Sequence, residues 1–179
     1  MTAQPLNPAP TELSSGTTLP AEYPFVLLAY EHPALGLGEL ANLPWLQELP
    51  DPMTSAMWGS WVELNPQTAA KMNVAQGDIV EIASTVGAVR SPAFINPAIA
   101  PDIVAMPVGQ GHATFTRYAS GRGQNPVEII APVAEATTGA LAWAATRVKV
   151  ARVGDPDGKL ILFSAAGELR EKPFELEKR

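Results

Sequence analysis

Apolar positions fall in short runs bounded by Pro, Gly or Asn, a pattern that predicts several short strands, one or two brief helices and long loops. Phe25-Val26-Leu27-Leu28-Ala29-Tyr30 is a continuous apolar run between Pro24 and Pro33, long enough for a buried strand and too short for an isolated helix. Trp45-Leu46-Gln47-Glu48-Leu49 predicts a turn of helix that Pro50 stops. Trp61-Val62-Glu63-Leu64 alternates as a strand should. Asn65 then stands as an N-cap before Pro66, which predicts a short helix to Met72, ended by Asn73 in the left-handed conformation. Gln76-Gly77-Asp78 turns the chain into a strand over residues 79–84, and Val86-Gly87 makes a hairpin to residues 88–95, with Pro92 at an edge or bulge. Residues 103–106 predict a fifth strand ended by Pro107. A last pair is expected at 147–150 and 160–163, joined by Gly154-Asp155-Pro156-Asp157-Gly158. The fold class implied is mainly β: a small barrel with corners shaped by Pro and Gly.

The flanks differ from this body. Residues 1–23 carry Pro5, Pro8, Pro10 and Pro20 among Ser, Thr and Ala, and predict an extended arm or linker. Residues 24–165 form the barrel domain, and 166–179 a charged, solvated tail. An apolar fraction of 46% and mean hydropathy of +0.06 fit a globular domain with a core. The formal charge of -6, with scattered Lys and Arg, gives no footprint for nucleic acid. The absence of Cys excludes thiolate-held iron–sulfur clusters, disulfides and a Cys nucleophile in this chain. No run approaches the roughly 18 to 20 apolar residues that cross a bilayer, so direct membrane insertion is not expected. The N-terminus shows no basic segment followed by an apolar run, and no export signal is expected in this chain.

Three ordered blocks resemble the molybdopterin-dinucleotide-binding module that closes catalytic subunits of the dimethyl-sulfoxide-reductase superfamily. The first is Ala41-Asn42-Leu43-Pro44-Trp45-Leu46-Gln47-Glu48-Leu49-Pro50. The second is Trp61-Val62-Glu63-Leu64-Asn65-Pro66 through Ala69-Ala70, Gly77-Asp78-Ile79-Val80 and the hairpin before Gly87. The third is Ala105-Met106-Pro107-Val108-Gly109-Gln110-Gly111-His112 with Gly121-Arg122-Gly123-Gln124-Asn125-Pro126. The wording of the first and third blocks resembles polysulfide-reductase-like subunits and the molybdopterin-like subunit of alternative complex III. The resemblance implies a double-psi β barrel within a membrane-peripheral electron-transfer complex, beside larger molybdopterin-oxidoreductase-like and iron–sulfur subunits or domains. In the alternative complex III group the domain is not expected to hold a cofactor.

Two roles follow for the same residues. In one, this barrel is a wall for the nucleotide of a molybdopterin guanine dinucleotide shared with a partner domain. Gly109, Gly111, Gly121 and Gly123 would let backbone N–H groups approach a pyrophosphate. Asn125 would address a purine or pterin edge, and His112 a phosphate or pterin amide. By resemblance Asn42 and Trp45 stand where relatives contact the nucleotide, while Arg117 and Arg122 would pair with phosphate or with carboxylates of a neighbouring subunit. In the other role the barrel is a scaffold without a redox centre or a cofactor of its own. The glycines then shape a loop, Asn125 starts the turn at Pro126, His112 anchors a loop, and Trp45 plugs the barrel end, with Trp58, Trp61 and Trp143 in the core. Tyr30-Glu31-His32 favours the scaffold, because Glu31 would repel a pyrophosphate where many cofactor-binding relatives have a small and a basic residue. No paired carboxylates, Ser-His-Asp set or His/Asp/Glu ligand cluster stands out, so independent catalysis is not expected; a free-standing double-psi barrel enzyme is the remote alternative.

Overall fold

The computed structural model describes residues 22–154 and 160–163 of the 179-residue chain. Its strands are β1 (Phe25–Tyr30), β2 (Val62–Leu64), β3 (Ile79–Ala83), β4 (Ala88–Ile95), β5 (Ile103–Pro107) and β6 (Arg147–Arg152). Short helices α1 (Pro44–Gln47), α2 (Pro66–Lys71) and α3 (Thr116–Ala119) and a 3-10 turn at Pro126–Ile129 lie between them. The strands close into a barrel in the order β1-β5-β2-β4-β3-β6, a double-psi β barrel. Two neighbour pairs, β1 with β5 and β2 with β4, run parallel, and the other four pairs are antiparallel.

Alternation along the strands fills the barrel. Leu27 of β1, Val80 and Ile82 of β3, Val89 and Ala93 of β4, Val104 and Met106 of β5 and Val148 of β6 are all buried in one cluster. Fully burying such a Val, Leu or Ile contributes about 1.5–3 kcal/mol, so these positions hold the frame on which the loops sit. On β2 all three residues are buried: Val62 and Leu64 face the core, and Glu63, on the opposite face of the strand, is covered by the chain outside it.

Asn65 caps α2 as the sequence implies: its side chain accepts a hydrogen bond from Gln67 N at 2.8 Å, and Pro66 occupies the first turn. Asn73 follows the helix at φ 53°, the left-handed conformation expected of it.

Pro92 has a ladder partner on one side only, a locally open edge of the kind expected for it. It sits inside the closed barrel, where the pairing of β4 with β3 ends at Ile79↔Pro92 and that with β2 begins at Val62↔Ala93. The missing N–H falls at the change of partner, where a ladder tolerates it.

The expected terminal hairpin does not form. β6 pairs with β1 and β3, while Leu162 bridges to Ala56 in the β1–β2 loop. A polar turn favours pairing of sequence neighbours, but the open edges of β1 and β3 provide a longer ladder for β6. Turn residues 155–159, the tail at 166–179 and the arm up to residue 21 lie outside the described residues.

Candidate functional site

Because β1 and β5 are parallel neighbours, in register from Val26↔Ile103 to Tyr30↔Pro107, the chain leaves both strands at the same end of the barrel. The loop at residues 31–61 and the loop at 108–125 therefore meet there. His32 starts the first loop, where its buried ring Nδ1 accepts hydrogen bonds from Ala34 N at 3.1 Å and Leu35 N at 3.2 Å. That places the ring hydrogen on Nε2, and burial holds the imidazole pKa below its ordinary value despite the carboxylate of Asp51.

The contacts between the loops are close and polar. Gln47 of α1 and Gln110 are both buried, and Gln110 Nε2 donates to Gln47 Oε1 at 2.7 Å while Gln47 Nε2 donates to Ala41 O at 2.8 Å. His112 Nε2 lies 3.1 Å from Gly38 O, and the ring packs on Phe115 with centroids 4.9 Å apart. Ser60 Oγ accepts from Gln124 N at 2.9 Å.

The glycines of the third block are surrounded by the chain itself. A Cβ on Gly111 would stand 2.5 Å from Asn125 N, one on Gly123 2.8 Å from Gln110 Cβ, and one on Gly109 3.2 Å from Gly36 O. Only at Gly121 is the space open to 4 Å. Several loop N–H groups are likewise engaged: Gly111 N donates to Arg122 O at 2.8 Å and Gly121 N to His112 O at 2.8 Å. The N–H groups of Gly111 and Gly121 are thus already paired within the protein.

The remaining candidates make contacts of their own within the protein. Asn125 caps the 3-10 turn, its Oδ1 accepting from Val127 N at 3.1 Å. Arg117 is exposed, its guanidinium 5.4 Å from the Tyr118 ring centroid. Asn42 is half-buried just before α1. Trp45 is 64% exposed and does not plug the barrel end, because α1 turns its indole outward. Trp61 is a core residue as expected, whereas Trp143 is exposed, lying outside the barrel between the last loop and β6. Trp58 is half-buried and takes the Arg122 guanidinium at 4.6 Å from its ring centroid.

A buried polar network went unread in the sequence. Glu63 accepts from the Tyr30 hydroxyl, from Trp61 Nε1 at 3.2 Å and from Asn96 Nδ2 at 2.6 Å. Burial, reinforced by the Glu63 carboxylate, drives the Tyr30 phenol far above its ordinary pKa, so it remains a donor at any working pH. Glu63 stands at the outward position of an alternating strand, where a carboxylate is ordinary, so the sequence held no signal that it is buried. No group of three or more possible metal ligands occurs among the described residues.

Comparison with known proteins fits this frame. The family model of the molydopterin dinucleotide binding domain matches residues 46–145. The chain is similar to the menaquinone reductase molybdopterin-binding-like subunit of Nitratidesulfovibrio vulgaris, 36% identical over 92 residues, 51% of this chain and 13% of the relative. It is also similar to the molybdopterin-containing subunit of the arsenate respiratory reductase of Shewanella sp. strain ANA-3, 30% identical over 141 residues, 74% of this chain and 16% of the relative. The chain thus spans less than a fifth of the length of either relative. Among solved structures, acetylene hydratase from Pelobacter acetylenicus shares the fold over 74% of this chain and 19% of its own, at a TM-score of 0.59 and 15% identity. With the barrel, the ordered blocks and the family model in agreement over most of the described residues, the chain belongs to the molydopterin dinucleotide binding domain family.

Proposed function

We propose that this barrel is a structural domain of a molybdopterin-reductase-like assembly, without a redox centre or a cofactor of its own. One observation carries this reading: at Gly109, Gly111 and Gly123 the space that glycine leaves is filled by the chain's own atoms. Exposed Glu31, directly after β1, adds a charge that opposes a pyrophosphate. The domain would then complete a larger body that carries the iron–sulfur clusters. The likeness to a menaquinone reductase subunit supports a place in a membrane electron-transfer chain. Pterin analysis of the native complex tests the proposal. No molybdopterin is expected, and Asn125→Ala should leave that result unchanged; a stoichiometric pterin would overturn it.

The second reading, a cofactor wall, is favoured by Arg117, Arg122 and the open space at Gly121, which keep positive charge and one accessible glycine in the third block. Under that reading Asn125→Ala lowers the pterin content of the complex by removing a hydrogen-bonding side chain. In either case the isolated chain, lacking Cys, is expected to show no visible absorbance and no redox couple; a bound cluster in the isolated chain would contradict both.

A further inference from the structure

The loop at residues 31–61 presents a surface that its own contacts do not explain. Leu37 and Trp45 are each 64% exposed, Leu49 51% and Met53 75%. Leu49 also lines a concavity of about 280 Å³ with Pro33, Ala34, Pro50 and Pro52, whose lining is mostly apolar. Residues 31–60 contain Glu31, Glu39, Glu48 and Asp51 and no Lys or Arg. Asp51 is buried and its Oδ1 is held by Met53 N, Thr54 N and Thr54 Oγ1, so its charge belongs to the turn. Glu31, Glu39 and Glu48 are exposed, and none forms an ion pair among the described residues. The exposed side chains that this segment itself contributes are therefore apolar or acidic, with no basic residue among 31–60 and Arg122 of the other loop held on Trp58, and the Gln47 and Gln110 amides fix the segment to the barrel end.

The charge decides between occupants. A second copy meeting this face with its own would bring acid against acid, and an anionic lipid or nucleotide surface would be repelled in the same way. We infer that this loop is a docking face for a segment of the larger reductase-like body that carries Lys or Arg around one bulky apolar side chain, the apolar group seated in the concavity. The inference rests on the reading of the chain as a scaffold within a larger assembly, and the relatives, of which it spans 13% and 16%, provide the sequence length for such a body.

The native complex tests it in three ways. Zero-length carbodiimide coupling should join Glu39 and Glu48 to lysines of the larger body. Oxidative footprinting should find Trp45 and Met53 reactive in the free chain and protected in the complex. The double variant Glu39→Lys/Glu48→Lys and, separately, Leu49→Asp should each weaken association about tenfold or more, with the melting temperature of the free chain unchanged. The charge variant should also lose the wild type's weakening by salt. Cross-links to Lys172 or Lys178 of the same chain, cross-links between two copies, or equal reactivity of Trp45 and Met53 in both states would overturn the inference. Footprinting uses the wild-type protein, so a variant that misfolds does not affect it. Pterin content measured on the same preparation tests the scaffold reading separately, because protection of this face and presence of cofactor are independent results.

Discussion

Gly111 and Gly121 both hold left-handed backbone, at φ +87° and +70°, yet their surroundings are opposite. Alanine at Gly121 meets only the conformational cost, about 1–2 kcal/mol. Alanine at Gly111 adds a collision with the backbone of Asn125, so its loss should exceed that of Gly121→Ala by about 1–3 kcal/mol in denaturant unfolding. The buried network offers a second test. Tyr30→Phe removes a donor from buried Glu63 and should destabilise by about 1–3 kcal/mol, read in the same experiment. His32 gives a pH dependence with a definite sign. Its folded pKa is depressed by burial, so the unfolded chain binds the proton more readily. The contribution of His32 is fully present above its unfolded pKa of about 6.5 and is lost as pH falls from there through the folded value. His32→Gln should flatten that part of the stability profile in pH-dependent melting.

Local chemistry at this scale was legible in the sequence where Asn precedes Pro, and not at His32 or Asp51, whose side chains also bond N–H groups two and three residues on. Asn65, Asn96 and Asn125, each followed by Pro, all accept a hydrogen bond from the N–H two residues on. Glu63 was legible only as the outward polar residue of an alternating strand. Its partners Tyr30 and Asn96 are each 33 residues away, and no local pattern connects them.

Among elements, the informative contact is the amide pair that fastens α1 to the loop after β5. Gln47 and Gln110 are 63 residues apart, and an exposed Gln is the usual case, so the pairing could not be read from spacing. Truncating either residue leaves its partner's amide buried without its hydrogen bond. Gln47→Ala and Gln110→Ala should therefore be non-additive, with a coupling of about 0.5–3 kcal/mol in a double-mutant cycle. Because Gln110, His112, Ser60 and the tightly packed Gly123 all tie the same two loops, those loops should resist hydrogen exchange in the free chain as one unit. The sequence favours the opposite expectation, since stretches rich in Pro and Gly read as irregular until their cross-contacts are known. The strand expected at residues 160–163 has the same origin: its partner is Ala56, more than 100 positions earlier.

At the scale of the whole molecule, periodicity indicates strands and their inner faces but carries no information about which strand lies beside which. The parallel neighbours β1 and β5 are separated by three other strands in the chain, an arrangement that entered only through the resemblance of the ordered blocks. The closed ring has a consequence for the order of events during synthesis. β6 lies between β1 and β3, both earlier in the chain, and completes the cycle only when Arg147–Arg152 is available. Until the ribosome releases that segment, β1 and β3 each present an unsatisfied edge that can pair with a neighbouring chain on a polysome. Annealing of β6 is thus the one step that covers both of those edges at once.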